Sequence, residues 1–355
     1  MHLYIAGGCG EHGRNSFLLD LGGSAILVDC GVSDDSKNPE PPKLSRAQID
    51  KISHVFLTHS HSDHTEALPW LFENGYDGPV IATRETLAQL PFEVKNGVVL
   101  QDMPEDALAG IGARLNWGRT GHCIGCVWYC FRIDGKTVLF TGDYTETTAV
   151  YATDRIRGVQ ADIAVIDCAY GRETVDYEAR CSTIISVVSD YARQEKQCIL
   201  PVPKYGRSVE LLALLKKACP GLRIAADAGT YKAICEIAVQ TEWLQEGVSL
   251  SGMAHPYCDD VGFDVLFIGD AQLKRRETRE LADRVIASGG TGIITGTPDR
   301  GSYSEKLLAE GKITRVRYPV HQNYDQYVRL VSLNSFKEAI PYHSPEFSAS
   351  PVHEI

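Results

Sequence analysis

Residues 57–68 read LTHSHSDHTEAL, and His59, His61, Asp63 and His64 crowd within six positions of it. Neutral imidazole and carboxylate are both competent ligands for zinc. The cluster comes directly after the apolar run HVFL, which places it on the turn after a strand. On such a turn His59 and His61 point the same way, as alternate residues do, while Asp63 and His64 turn toward a neighbouring position. One loop can then serve two metal ions. A hydrogen-bonded helix cap built on Thr58, Ser60 and Ser62 with incidental histidines is the competing reading, and the tightness of the pattern favours the metal. Two ions need further ligands from strand ends elsewhere. His122 in RTGHCIGC, just before CVWYCF, and Asp143 at the end of KTVLFTGD have that chemistry and position.

The elements that must position these groups come in two styles. The first 175 residues mix strands and helices in a sandwich-like pattern. HLYIA, a glycine loop and the hairpin-like NSFLLDL-GGS-AILVDCGV are followed by a Pro-rich loop and a short helix at 45–51. HVFL then delivers the cluster, and CVWYCFRI and KTVLFTGD are joined by a tight Asp134-Gly135 turn. Gly8, Gly10 and Gly13 have the G-x-G-x-x-G spacing of a dinucleotide loop, but a hairpin and not a helix comes next, so that reading is rejected. From about residue 176 helix and strand alternate, which implies a parallel sheet with crossover helices. After Gly311 come a strand, a helix around 325–333 and a polar tail. The expected fold is α/β, with domain bounds of 1–175, an inserted unit at 176–312, and a return to the first domain over 313–355.

These segments together resemble the metallo-β-lactamase fold and, within it, the β-CASP group of nucleases. GGCGEHGRNSFLL with AILVDCG is similar to the group's first hairpin, with Asp29 at the supporting acidic position. THSHSDH matches the metal motif, TGHCIGC the G-H-x-x-G segment and FTGDYTE the turn with the bridging aspartate. VIDCAYG assigns Asp167 to an acidic position, PVPKYGRSVELL resembles the start of the insertion and TGTPDRGSYSEKLL its close. VRYPVHQNYDQ and AIPYHS supply His321 and His343. The resemblance implies an αββα sandwich interrupted by a small β-CASP-like α/β domain. It also implies two zinc ions, one on His59, His61 and His122, the other on Asp63, His64 and His343, with Asp143 between them.

The activity implied by the resemblance is phosphodiester hydrolysis by a two-metal-activated water, leaving a 5′-phosphate. Asp63 joins His321 and Asp167 among the catalytic residues; His321, steadied by Asp167, is the general acid. Lys204 and Arg207, between a strand and a helix start, are candidates to meet a substrate phosphate, with a buried ion pair as the other role for Arg207. Cys123 and Cys126 form a C-x-x-C beside His122 and are expected to be packed thiols, because no second C-x-x-C exists.

Bulk properties bound this reading. The net charge of −11 argues against nucleic-acid binding by a broad basic surface, yet metals and a few local cations can still hold phosphate. With 44% hydrophobic residues the 355-residue chain can bury a substantial core. No apolar run approaches the roughly 20 residues of a membrane span, and no signal peptide opens the chain. The expectation is a cytoplasmic hydrolase acting on RNA in preference to DNA, without a membrane partner and with a homodimer left open. Hydrolysis of a small ester or cyclic nucleotide, and a non-catalytic RNA- or nuclease-binding scaffold, are the alternatives.

Overall fold

A computed structural model describes residues 1–35 and 37–355. Strands β1 (His2–Gly7), β2 (Ser16–Asp20), β3 (Ala25–Val28), β4 (Ile52–Phe56), β5 (Val80–Ala82) and β6 (Gly97–Val99) form one sheet. A second contains β7 (Ala113–Arg119), β8 (Val127–Ile133), β9 (Lys136–Phe140), β10 (Gln160–Asp167) and β17 (Ser335–Tyr342). The third takes β11 (Cys198–Pro201), β12 (Ile224–Ala226), β13 (His255–Pro256), β14 (Val265–Ile268), β15 (Thr291–Ile294) and β16 (Thr314–Arg315). The polar tail adds β18 (Val352–Glu354), which pairs antiparallel with β1 and makes the first sheet seven-stranded.

The first two sheets face each other because their strands alternate, as a period of two requires. Phe17, Leu19, Ile26 and Val28 point inward with Val138, Phe140, Ile163 and Val165 of the facing sheet. Between them Phe17 lies 6.0 Å from Phe140 and Phe56 lies 5.0 Å from Phe131, ring centre to ring centre. The intervening residues face outward. Leu18, Ala25 and Leu27 pack under α1 (Arg46–Ile49) and α3 (Leu68–Glu73). Leu139, Ala164 and Ile166 pack with Leu330 of α10 (Tyr324–Ser332). The result is the αββα sandwich. Asp134 and Gly135 both have positive φ, 49° and 77°, in the tight turn between β8 and β9.

The third sheet pairs in parallel throughout, in the order β13-β12-β14-β11-β15-β16. Its strands CILP and VLFI are buried on both faces, so they read as continuous apolar runs. One face packs with α5 (Tyr177–Arg193), α6 (Arg207–Ala218) and α7 (Ala228–Ala238). The other packs with α8 (Arg276–Ala287) and α9 (Tyr303–Ala309). The first of these cores is continuous with the apolar layer of the sandwich. The third sheet also runs past residue 312, because β16 pairs with β15 through Arg315.

Glu210 of α6 secures the junction. It is 2% exposed and accepts hydrogen bonds from the Ala149 and Val150 backbone N–H groups at 2.8 and 3.0 Å, from Tyr318 Oη at 2.7 Å, and from Thr148 Oγ1.

Candidate metal centre

Strand ends deliver the site. His59 and His61 come after β4, Asp143 after β9 and His343 after β17, while Asp167 ends β10. Their side chains converge at the carboxyl ends of neighbouring parallel strands, where α/β architectures leave a crevice. Asp63 and His64 lie on the single-turn helix α2 (Ser62–Thr65). That turn sits against Gly31, where a Cβ would collide with the Asp63 carbonyl and His64 N. Asp29 and His343 hold positive φ, 60° and 71°, a strained conformation for residues other than glycine and common at functional sites.

One donor group contains His59, His61, His122 and Asp143. His59 Nε2 lies 3.0 Å from His61 Nδ1, and His122 Nε2 lies 3.2 Å from the same atom. Asp143 Oδ2 is 3.4 Å from His59 Nε2 and 3.5 Å from His122 Nε2. Four donors placed tetrahedrally around an ion at zinc bond lengths stand about 3.3 Å apart. The observed edges bracket that value. The outer nitrogens fix the tautomers: His122 Nδ1–H donates to Val320 O at 2.9 Å and His61 Nε2–H to Tyr205 O at 3.3 Å, leaving the inner lone pairs free. Burial holds His59 and His122 well below the ordinary imidazole pKa, so both are neutral and ready to ligate.

The second group contains Asp63, His64 and His343. His343 Nε2 is 3.0 Å from Asp63 Oδ2, while His64 Nε2 is 3.6 Å from it. Asp143 turns its other oxygen this way, with Oδ1 3.2 Å from both His64 Nε2 and His343 Nδ1. One carboxylate therefore faces both groups, as a bridging ligand must. Burial opposes charge on His343, but Asp143 and Asp63 overcome it and raise the imidazole to about 10. Burial likewise opposes the Asp143 carboxylate, and the imidazoles around it hold its pKa well below the usual range. Carboxylates concentrated among imidazoles in a buried pocket make a donor set that fits divalent metal ions.

Around these donors is a layer of supporting groups. Asp29 Oδ2 accepts the His64 Nδ1–H at 2.7 Å, while its other oxygen accepts Thr58 N–H at 2.7 Å. Tyr342 Oη donates to Asp143 Oδ1 at 3.2 Å. Asn15 Nδ2 stands 2.8 Å from His64 Nε2, the nitrogen a second ion would take, and 3.2 Å from Asp63 Oδ2. Asp29 is legible in the sequence through the resemblance. Asn15 and Tyr342 escape a sequence reading: they lie inside NSFLL and AIPYHS, two segments that carry the resemblance, without a signal of their own.

His321 stands on the open side. Its Nδ1 is 2.8 Å from Asp167 Oδ2, and its ring centre is 4.7 Å from that of His122. Asp167 is fully buried and held by the N–H groups of Tyr144 at 2.9 Å and Ala169 at 3.0 Å. His61, Asp63, His122, Asp143, His321 and His343 border a cavity of about 470 Å³ between the sandwich and the inserted unit, whose walls also include His12, Arg207 and Arg317. Arg207 is without an ion pair among the described residues, and its Nε is buried without a hydrogen-bond partner. Burial, with Arg317 adding to it, pulls its pKa below the ordinary arginine value. The ion-pair role is thereby removed. Lys204 does not line this cavity; its ammonium lies 5.8 Å from the Tyr205 ring centre. Cys123 and Cys126 are buried free thiols, and Cys126 Sγ contacts Asp143 O at 3.6 Å.

The chain is similar to known proteins. The family model of the metallo-beta-lactamase superfamily matches residues 9–166. The chain carries a metallo-beta-lactamase domain. The parallel-sheet unit follows the residues that the family model matches. Among the relatives of this chain, Ribonuclease TTHA0252 of Thermus thermophilus is 26% identical, over 61% of this chain and 54% of its own. Cleavage and polyadenylation specificity factor 73 of Drosophila melanogaster is 22% identical over 84% of this chain and 51% of its own. The RNase J-like protein of Methanocaldococcus jannaschii is 22% identical over 98% and 93%. The chain spans about half the length of several of these curated relatives. A crystal structure of a protein of unknown function from Enterococcus faecalis V583 shares the fold, with a TM-score of 0.59 at 13% identity over 97% of this chain and 94% of that one.

Proposed function

We propose that this chain is a zinc-dependent ribonuclease, hydrolysing a phosphodiester of single-stranded RNA to leave a 5′-phosphate. The observation that carries the reading is Asp143, whose two oxygens face two separate donor groups, with His321, held by Asp167, beside them in the cavity wall. His59, His61 and His122 would hold one zinc, Asp63, His64 and His343 the other, with Asp143 shared. When bound, two divalent ions would supply a hydroxide-like water and neutralise phosphate oxygens.

The chain's own residues do the rest. Asp167 orients His321 through Nδ1, so the Nε2–H is available to the leaving 3′-oxygen, and the proton passes to that oxygen as the P–O bond breaks. Arg207, without a carboxylate partner in the cavity wall, meets a phosphate of the same strand. The inserted unit narrows the approach, which suits a single strand. RNA as substrate is supported by relatives named as a ribonuclease and an RNase J-like protein. The described residues contain no helix long and apolar enough to cross a membrane.

The test is metal analysis of the purified chain together with hydrolysis of labelled single-stranded RNA, single-stranded DNA and small phosphodiesters. Two zinc per chain and cleavage of RNA, both lost in Asp63→Ala, are the expected outcomes. Unchanged RNA cleavage by Asp63→Ala sinks the assignment.

A further inference from the structure

Three loops that carry His321, Asp167 and His343 continue into a surface the hydrolytic chemistry does not use. Five residues after Asp167 comes Arg172, three after His321 comes Tyr324, and four after His343 comes Phe347. They meet. The Arg172 guanidinium carbon lies 5.5 Å from the Tyr324 ring centre and 5.2 Å from that of Phe347. The two rings are stacked at 6.2 Å with an 11° tilt, and Tyr327 extends the stack from Tyr324 at 5.8 Å and 20°.

The guanidinium touches Tyr324 Oη through Nη1 at 3.5 Å and has no carboxylate partner among the described residues. Arg172 is exposed and makes no ion pair among the described residues; Glu346 takes its backbone N–H at 3.0 Å, not its guanidinium. Val328, one helical turn beyond Tyr324, is 48% exposed, and Val175 is 45% exposed. The position is set by Tyr170, whose ring lies 5.2 Å from that of His321 two residues before Arg172.

Resting on the ribonuclease reading, we propose that Arg172, backed by Tyr324 and Phe347, is a stacking platform for a nucleobase of the RNA strand on the His321 side of the cavity. A guanidinium lying against aromatic rings offers its other surface to an unstacked base, the contact by which proteins hold single-stranded RNA without reading its sequence. The platform favours strands whose bases are splayed over duplexes, and it holds the product strand that leaves toward His321.

The experiment uses the full chain and a short single-stranded RNA carrying 2-aminopurine, whose fluorescence is quenched on stacking. Wild type binds and quenches. Arg172→Ala weakens RNA binding about 5- to 100-fold and abolishes the quenching, while turnover of a small phosphodiester is unchanged. Arg172→Lys keeps the charge without the plane, so part of the affinity returns but the quenching does not. Restoration of both by Arg172→Lys, wild-type-like binding by Arg172→Ala, or no quenching by wild type overturns the platform. Binding and quenching by a wild-type chain that cleaves no RNA sinks the ribonuclease reading alone.

Discussion

A hydrogen bond of 2.8 Å to Asp167 leaves His321 one nitrogen for chemistry; His321 clusters with Asp143, Asp167 and His343 but belongs to neither of the two donor groups assigned to the ions. His321→Ala should therefore keep its metal and its fold while turnover of RNA drops about 10²- to 10⁴-fold, the usual worth of a positioned acid. Metal content and kcat measured on the same preparation check this; full turnover with metal retained removes the acid role. At this scale the sequence is informative where chemistry is contiguous. Four ligand types in six positions stand out in any sequence, whereas His321 and His343 are single histidines that only the family resemblance singles out. The carbonyls of Tyr205 and Val320 are invisible to such a reading, because a backbone acceptor leaves no mark on residue identity. Lys204 and Arg207 are three positions apart, yet only Arg207 lines the cavity. At Gly206 the backbone turns through φ 116°, so the residues on either side of it need not share an environment.

Elements matter here through how closely they approach. The turn α2 carries Asp63 and His64, and it sits directly on Gly31. Gly31→Ala must push that turn outward, since the obstacle is backbone and not a side chain that can rotate. Overpacking of this kind costs about 1–3 kcal/mol. The expected outcome is a lower Tm with loss of one metal more than the other, read by calorimetry and metal analysis; wild-type metal content would show that the contact is slack. Strands are legible in the sequence wherever period-two alternation or a continuous apolar run is long enough, as in β2, β8 and β14. The strand expected after Gly311 is present only as the two residues of β16, and β18, three residues in the polar tail, is not legible because it carries no apolar pattern. Their pairing is set by the partner strands already in place.

At the scale of the molecule, the two units share one apolar core and one buried carboxylate at their junction. Glu210→Ala would strand the buried N–H groups of Ala149 and Val150, and a loss of about 2–5 kcal/mol is expected from a broken buried network. Denaturant unfolding measures it. Glu210→Gln keeps an acceptor and should cost clearly less; equal losses would mean the network contributes little. Removing the metal with a chelator should lower Tm as well, because ions that bind the folded chain alone stabilise it by mass action. An unchanged Tm after verified chelation counts against a bound metal in the resting protein.

The Tyr205 carbonyl belongs to the inserted unit, yet it sets the tautomer of His61 in the sandwich. Affinity for the first ion and the posture of the inserted unit are then two readings of one equilibrium. Any strand that wedges the units apart pays in metal affinity, and by reciprocity each ion bound favours closure on the strand. Raising free metal should tighten substrate binding even for a variant that cannot cut.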